Sequence, residues 1–84
     1  MRIYMQTVGD GENAPRYYQL LLQEDLLGGW SLIREWGIQG TRGRSKREDF
    51  SHRSEAVQAL THYRDDQMQR GYRVVFIQGE EASS

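Results

Sequence analysis

The segment that decides the fold runs from Trp30 to Gly43 and reads WSLIREWGIQGTRG. In its first part, Trp30, Leu32, Trp36 and Ile38 lie on one side of a two-residue alternation, with Arg34 among them. This alternation predicts a β-strand over residues 30–39 with one buried face. The glycine-bounded segment 40–43 predicts a tight turn, and the polar residues 44–50 predict a second strand. We therefore expect an antiparallel hairpin here.

The rest of the chain extends this hairpin into a sheet and adds one helix. Alternation and β-forming residues predict further strands over residues 2–8, 16–23 and 72–77. The pattern changes to a helical period at Ala56, Ala59, Leu60 and Tyr63. Ser51 and Ser54 are both candidate N-caps, and Gly71 is expected to end the helix. The predicted fold class is α+β, a small antiparallel β-sheet with one α-helix packed on a face.

Length and composition predict one domain over residues 1–78 and a flexible tail over residues 79–84. The 84 residues include no cysteine, so disulfides and thiolate metal sites are excluded. No stretch approaches the roughly 20 apolar residues that span a bilayer. The polar-alternating N-terminus does not resemble a signal peptide, and we expect a cytoplasmic protein that does not bind membranes. Three aromatic side chains are expected in the core: Tyr17, Tyr63 and Phe76.

Positive charge is concentrated in one part of the chain, although the net charge is only −1. The segment from Arg34 to Arg53 has a net charge of +3, so the remainder carries −4. Such an asymmetry gives the folded molecule a positive side that suits an anionic partner. A solvated edge strand, protected from aggregation by its charges, would produce the same pattern.

The segment from Trp30 to Gly43 resembles the signature of the WGR domain, a module of poly(ADP-ribose) polymerases and of short bacterial proteins. The resemblance extends over most of the chain and suggests a stand-alone bacterial type. Its matching positions are Tyr18, Leu20 and Leu22 before the signature, Trp30, Gly40 and Gly43 within it, and Phe50, Ala56, Gly71 and Tyr72 after it. The antiparallel sheet and single helix of that family agree with the fold expected from periodicity.

The resemblance implies a role at DNA ends, where the family's tryptophan and arginine act in the DNA-dependent polymerases. Trp36 and Gly37 match the first two residues of the name-giving tripeptide, but the third is Ile38 instead of arginine. Arg34 lies two residues before Trp36, on the same side of an ideal strand, and is a candidate to replace the missing arginine in part.

The leading hypothesis is a non-enzymatic module that binds nucleic acid, at DNA ends or nicks. Trp36 would stack on a sugar or base, and basic side chains would neutralise phosphates. Packing of Trp36 in the core is the alternative for that residue. The predicted nucleic-acid-binding residues are Arg34, Trp36, Gly37, Arg42, Arg44, Lys46 and Arg47, with Arg53 as a possible neighbour. The alternative function is a protein-interaction adaptor that uses the same surface, made more apolar by Ile38.

Other chemistries have little support in the sequence. The segment 40–43 matches the GxxG loop of KH domains, but that loop joins two helices, and a hairpin turn is favoured here. His52 and His62 are ten residues apart with no carboxylates at ligand spacing, so no metal site is expected. Neither a nucleophile motif nor a nucleotide-binding loop is present, and we expect no catalytic activity and no cofactor. The chain is expected to be a monomer, and self-association through an unpaired sheet edge is a weaker alternative.

Overall fold

The computed structural model describes residues 1–9 and 11–79. Their elements are β1 (Arg2–Gln6), β2 (Arg16–Glu24), β3 (Trp30–Ile38), β4 (Arg44–Phe50), α1 (Arg53–Gln69) and β5 (Arg73–Gln78). The five strands form one sheet in the order β4-β3-β2-β1-β5, and every neighbouring pair is antiparallel. The helix packs on one face of the sheet, which confirms the predicted α+β fold. Of the predicted tail, residues 80–84 lie outside the described residues.

The core lies between α1 and the three central strands. On β3 the adjacent residues Ser31 and Leu32 are both buried. The most deeply buried side chains alternate along β1 and β2, as the two-residue period of a strand requires. They meet the two fully buried positions of the helix. The core residues are Ile3, Met5, Tyr18, Leu20, Leu22, Leu32, Ala56 and Leu60. The register pairs Leu22 with Leu32, so the alternation predicted for β3 is confirmed.

The largest differences from the predicted bounds are at the end of β1 and at the start of the helix, while the ends of β2, β3 and β5 differ by one residue. The first strand ends at Gln6 instead of residue 8, because its paired register with both neighbours ends there. The helix N-cap is His52, and neither Ser51 nor Ser54 has this role. His52 has an extended backbone and its carbonyl accepts the Ala56 N–H at 3.3 Å, so the first helical turn starts between the two serines.

The helix ends as Gly71 predicts. Gly71 has φ of 98°, the left-handed region that glycine adopts without strain. Its N–H donates to the Met68 carbonyl at 3.1 Å, and the Tyr72 N–H donates to the Gln67 carbonyl at 3.0 Å. These two bonds form a Schellman motif, which reverses the chain direction. The motif places Tyr72 beside the last helical turn, directly before β5.

The prediction that Tyr17 and Phe76 are core residues is wrong. Both belong to the face of the sheet that the helix does not cover, where Tyr4 lies between them. The Tyr4 ring lies 6.1 Å from that of Tyr17 and 5.5 Å from that of Phe76, with interplanar angles of 5° and 11°. Tyr63, in contrast, is half-buried and packs against the core from the helix. Residues 1–9 and 11–79 form only one helix, and half of the sheet's side chains consequently face away from it.

Candidate functional site

The site forms on the helix-facing side of the β3–β4 hairpin, at the end where the two strands turn. The register pairs Trp36 with Arg44 and Arg34 with Lys46. Residues paired directly across two strands point to the same face of a sheet. The hairpin therefore brings four of the predicted binding residues together on one surface.

Trp36 is half-buried, between the core and the solvent. Its indole stacks on the Tyr18 ring with centroids 6.1 Å apart and an interplanar angle of 20°. Tyr72 meets the Tyr18 ring edge-on at 6.0 Å. The core packing anticipated as the alternative is thus present on one side of Trp36, while another part of the side chain lines an open pocket.

This pocket, called the Trp36 pocket below, has a volume of about 260 Å³. Its lining residues are Tyr18, Arg34, Trp36, Gln67, Arg70 and Tyr72. Drug-sized ligands occupy pockets of roughly 300–1,000 Å³, so this space suits a single ring or sugar. Aromatic carbon walls and guanidinium groups meet in it, a combination that fits an aromatic or sugar ring carrying a negative charge.

Arg34 is held inside the site by aromatic rings and a carboxylate. Its side chain is only 17% exposed, and its Cζ lies 4.2 Å from the centroid of the Tyr63 ring and 5.8 Å from that of Trp36. Its Nε lies 3.8 Å from Glu48 Oε1, and the same oxygen accepts the Tyr63 hydroxyl at 2.5 Å. Burial alone would lower the pKa of Arg34, but the hydrogen bond to Tyr18 and the nearby tyrosines and Glu48 hold it above its ordinary value. Arg34 therefore stays charged.

Three basic residues of the hairpin extend into solvent. Arg42 lies in the turn, and Arg44 and Lys46 lie on β4. All three are exposed, and none forms an ion pair with residues 1–9 or 11–79. Their positive charges are available to an anion without the loss of an existing salt bridge. Arg70 joins them from the end of α1, where its Nε lies 3.2 Å from Asp66 Oδ2.

Arg47 lies on the other face of the sheet, away from Trp36. Its Nε donates to Asp49 Oδ1 at 3.0 Å, and its Nη2 donates to the Ser31 hydroxyl at 2.9 Å. The Ser31 hydroxyl in turn donates to the same Asp49 oxygen at 2.9 Å. Hydrogen bonds from Ser31 and Arg47 hold the pKa of Asp49 below its usual value. Among the predicted basic binding residues of the hairpin, Arg47 is the one that the fold separates from the others.

Gly37 and Gly43 pack closely against the Tyr17 side chain and against the backbone of the hairpin. Tyr17 extends from β2 over Gly37, and its hydroxyl lies against Gly43. A Cβ at Gly37 would lie 3.2 Å from Tyr17 Cε2, and one at Gly43 would overlap the Tyr17 hydroxyl and lie 2.7 Å from the Trp36 carbonyl oxygen. Gly37 thus contributes close packing on the face opposite the Trp36 pocket, which fixes the shape of the hairpin.

Arg53, the possible neighbour, lies at the opposite end of β3. Its Cζ is 5.6 Å from the Trp30 ring centroid, at the start of α1.

The sequence did not single out Gln67, Arg70 and Tyr72 as site residues. The available signal for them was Gly71. It predicts that the helix ends there and that the chain returns into a strand, so the residues on either side of Gly71 must lie against the sheet.

The comparisons with known proteins identify the family. The sequence matches the family model described as WGR domain over residues 1–77. The chain therefore belongs to the WGR family, with Ile38 where the name-giving tripeptide has arginine.

A curated relative is the protein of Sinorhizobium fredii (strain NBRC 101917 / NGR234) described as "Uncharacterized protein y4dW". It is 31% identical over 72 residues, which are 86% of this chain and 35% of that protein. The chain thus spans about a third of the length of this relative. No solved structure matches the chain significantly.

Within residues 1–9 and 11–79, no helix is long and apolar enough to cross a membrane. The same residues contain no group of three or more histidine, aspartate or glutamate side chains that could hold a metal ion.

Proposed function

We propose that this protein is a non-enzymatic nucleic-acid-binding module that recognises DNA ends or nicks through the Trp36 pocket and the basic hairpin beside it. One observation carries the proposal. Arg44 and Lys46, whose charges are not engaged by the described residues, flank Trp36 and Arg34 on the same face of the sheet. Membership of the WGR family supports the same kind of ligand.

The basic residues supply the electrostatic part of the binding. Each phosphate that a lysine or arginine neutralises releases a condensed counterion, so affinity rises as salt falls. Arg42, Arg44 and Lys46 form a row from the turn into β4, and this row can follow a phosphate backbone past the pocket. Arg70 adds a further cation on the other side of Trp36.

The aromatic pocket supplies the preference for an interrupted duplex. A base or sugar inside a continuous helix is stacked on both sides and cannot enter a pocket, whereas a terminal or nick-flanking nucleotide has a free face. Stacking on an aromatic side chain contributes about 1–3 kcal/mol per base. Trp36 is supported from below by Tyr18, so its position is fixed before a ligand arrives.

Fluorescence anisotropy with a labelled blunt-ended duplex tests the proposal. We expect binding at about 50 mM salt and an affinity about 10- to 100-fold lower at about 200 mM, as two or three phosphate contacts would give. The matched competitor is a duplex of the same sequence with both ends closed by hairpin loops, which should compete more weakly. The absence of any binding at about 50 mM salt would contradict the proposal. Equal competition by the closed duplex would contradict the proposed preference of the protein for DNA ends.

Arg34 has a different role in this proposal, which is to hold Trp36 and Tyr63 in place. We expect Arg34→Ala to lower the free energy of unfolding by about 1–3 kcal/mol, since it removes packing against two rings and leaves Glu48 without its cation. Thermal unfolding measures this loss. The salt dependence of DNA affinity should change little. A reduced salt slope without loss of stability would instead make Arg34 a phosphate contact.

A protein-interaction adaptor remains the second candidate, because one apolar patch lies at the same end of the sheet. Ile38 is 41% exposed and, with the exposed residue Val8, borders an open pocket of about 390 Å³. An apolar side chain at this position suits a protein partner better than a phosphate. The duplex titration decides between the candidates, since an adaptor alone predicts no salt-dependent DNA affinity.

A further inference from the structure

The two edges of the sheet differ sharply in character. On β4, five of the seven residues are charged, which is how natural sheets discourage edge-to-edge pairing. On β5, Arg73 is the one charged residue among six. Its central residues Val75, Phe76 and Ile77 are 56%, 45% and 57% exposed. The β5 edge therefore has the composition of a strand with a partner on both sides.

The backbone of β5 is hydrogen-bonded to another described strand along one of its two edges only. The strand is hydrogen-bonded to β1 on one side, and it has no neighbour on the other side among residues 1–9 and 11–79. Alternate N–H and C=O groups therefore point outward and can form a ladder with an added strand. The bulge opposite Tyr4 and Met5 shifts the register without covering the apolar side chains.

We propose that the β5 edge is a homodimer interface, in which β5 of one chain pairs antiparallel with β5 of a second copy to form a continuous ten-stranded sheet. The strand is self-complementary in this arrangement. A two-fold axis between residues 75 and 76 places Arg73 of one chain opposite Gln78 of the other, so no like charges meet. It also places Val74 opposite Ile77, and both of these side chains face the helical side.

The proposal is independent of nucleic-acid binding. The Trp36 pocket lies between β3, β2 and the end of α1, and Tyr72, directly before β5, is one of its lining residues. The dimer would carry two such pockets, and no residue of β5 itself lines either of them. Failure of the DNA titration would leave the dimer intact, and a monomeric chain could still bind DNA.

Sedimentation and light scattering on the 84-residue chain without DNA form the first test. We expect the mass to rise towards twice that of one chain between about 10 µM and about 1 mM, the range of a small interface. The double variant Val75→Lys/Ile77→Lys should stay at the mass of one chain. The matched control Leu26→Lys/Leu27→Lys, which changes two exposed leucines in the β2–β3 turn, should dimerise normally. A wild-type chain that stays monomeric throughout this range overturns the proposal.

Cross-linking tests the register and does not depend on the lysine variants folding. The chain has no cysteine, so Arg73→Cys/Gln78→Cys introduces the only thiols. The two positions are five residues apart, about 16 Å along one strand, which is too far for a bond within one chain. Oxidation should give a covalent dimer, whereas Ser45→Cys/Asp49→Cys on the β4 edge should not. Cross-linking through β4 alone would overturn the assignment to β5.

Discussion

Replacing both Arg44 and Lys46 with alanine is expected to lower the affinity for a short DNA duplex by about a hundredfold at about 50 mM salt. Each lost phosphate contact removes about 0.9 from the slope of log affinity against log salt, so the slope should fall by nearly two. Neither side chain makes an ion pair with the described residues, and the fold should be unaffected. Anisotropy titrations at several salt concentrations measure both quantities.

The matched control for this variant removes two positive charges elsewhere. Arg47 lies on the opposite face of the sheet with Asp49, and Arg64 pairs with Asp65 on the helix at 2.9 Å. The double variant Arg47→Ala/Arg64→Ala has the same net charge as the first but leaves the Trp36 face intact. It should bind with nearly the wild-type slope. Equal losses in the two variants would mean that binding depends on net charge and not on this surface.

The second large effect is expected on stability, from Gly43→Ala. The added methyl group would meet the Tyr17 hydroxyl and the Trp36 carbonyl oxygen, and the latter belongs to the backbone and cannot rotate away. Overpacking of this kind costs about 1–3 kcal/mol. For a domain of this size, each 1 kcal/mol lowers the melting temperature by roughly 4–8 °C. Thermal unfolding followed by circular dichroism gives the shift.

Two further variants locate the cause of that loss. Gly11→Ala adds the same methyl group where no heavy atom lies within 4 Å, and the melting temperature should change little. Tyr17→Phe removes the hydroxyl, so the double variant Gly43→Ala/Tyr17→Phe should recover part of the stability that Gly43→Ala loses. Strictly additive effects of the two substitutions would show that Tyr17 and Gly43 do not interact.

Much of the fold follows from local patterns in the sequence. Alternation along β3 correctly divided its two faces, and the glycine-bounded turn correctly placed the β3–β4 hairpin. Alternation, however, does not indicate which face of the sheet the helix covers. Tyr17 and Phe76 are aromatic like the core residue Tyr18, but the single helix among the described residues covers one side of the sheet only. An aromatic side chain does not by itself indicate that it lies on the covered face.

The site was predicted less completely than the fold. Strict alternation on β4 already implies that Arg47 points away from Lys46, so its separation from the other basic residues was deducible. Gly71 indicates where the helix ends, but it does not indicate that Arg70 and Tyr72 join the site. Their participation depends on the direction in which α1 crosses the sheet, and on the match between a helix of about 25 Å and a strand of about 30 Å. Neither property has a local signal in the sequence.

The two tryptophans lie at opposite ends of β3, so the fluorescence of Trp30 can serve as an internal reference for that of Trp36. Trp36 lines the pocket, while Trp30 lies six residues away, about 20 Å along the strand, beside Arg53 at the start of the helix. A ligand in the pocket changes the surroundings of one indole and leaves those of the other unchanged. Unfolding changes both. Intrinsic emission can therefore distinguish occupancy of the pocket from loss of structure in a single unlabelled sample.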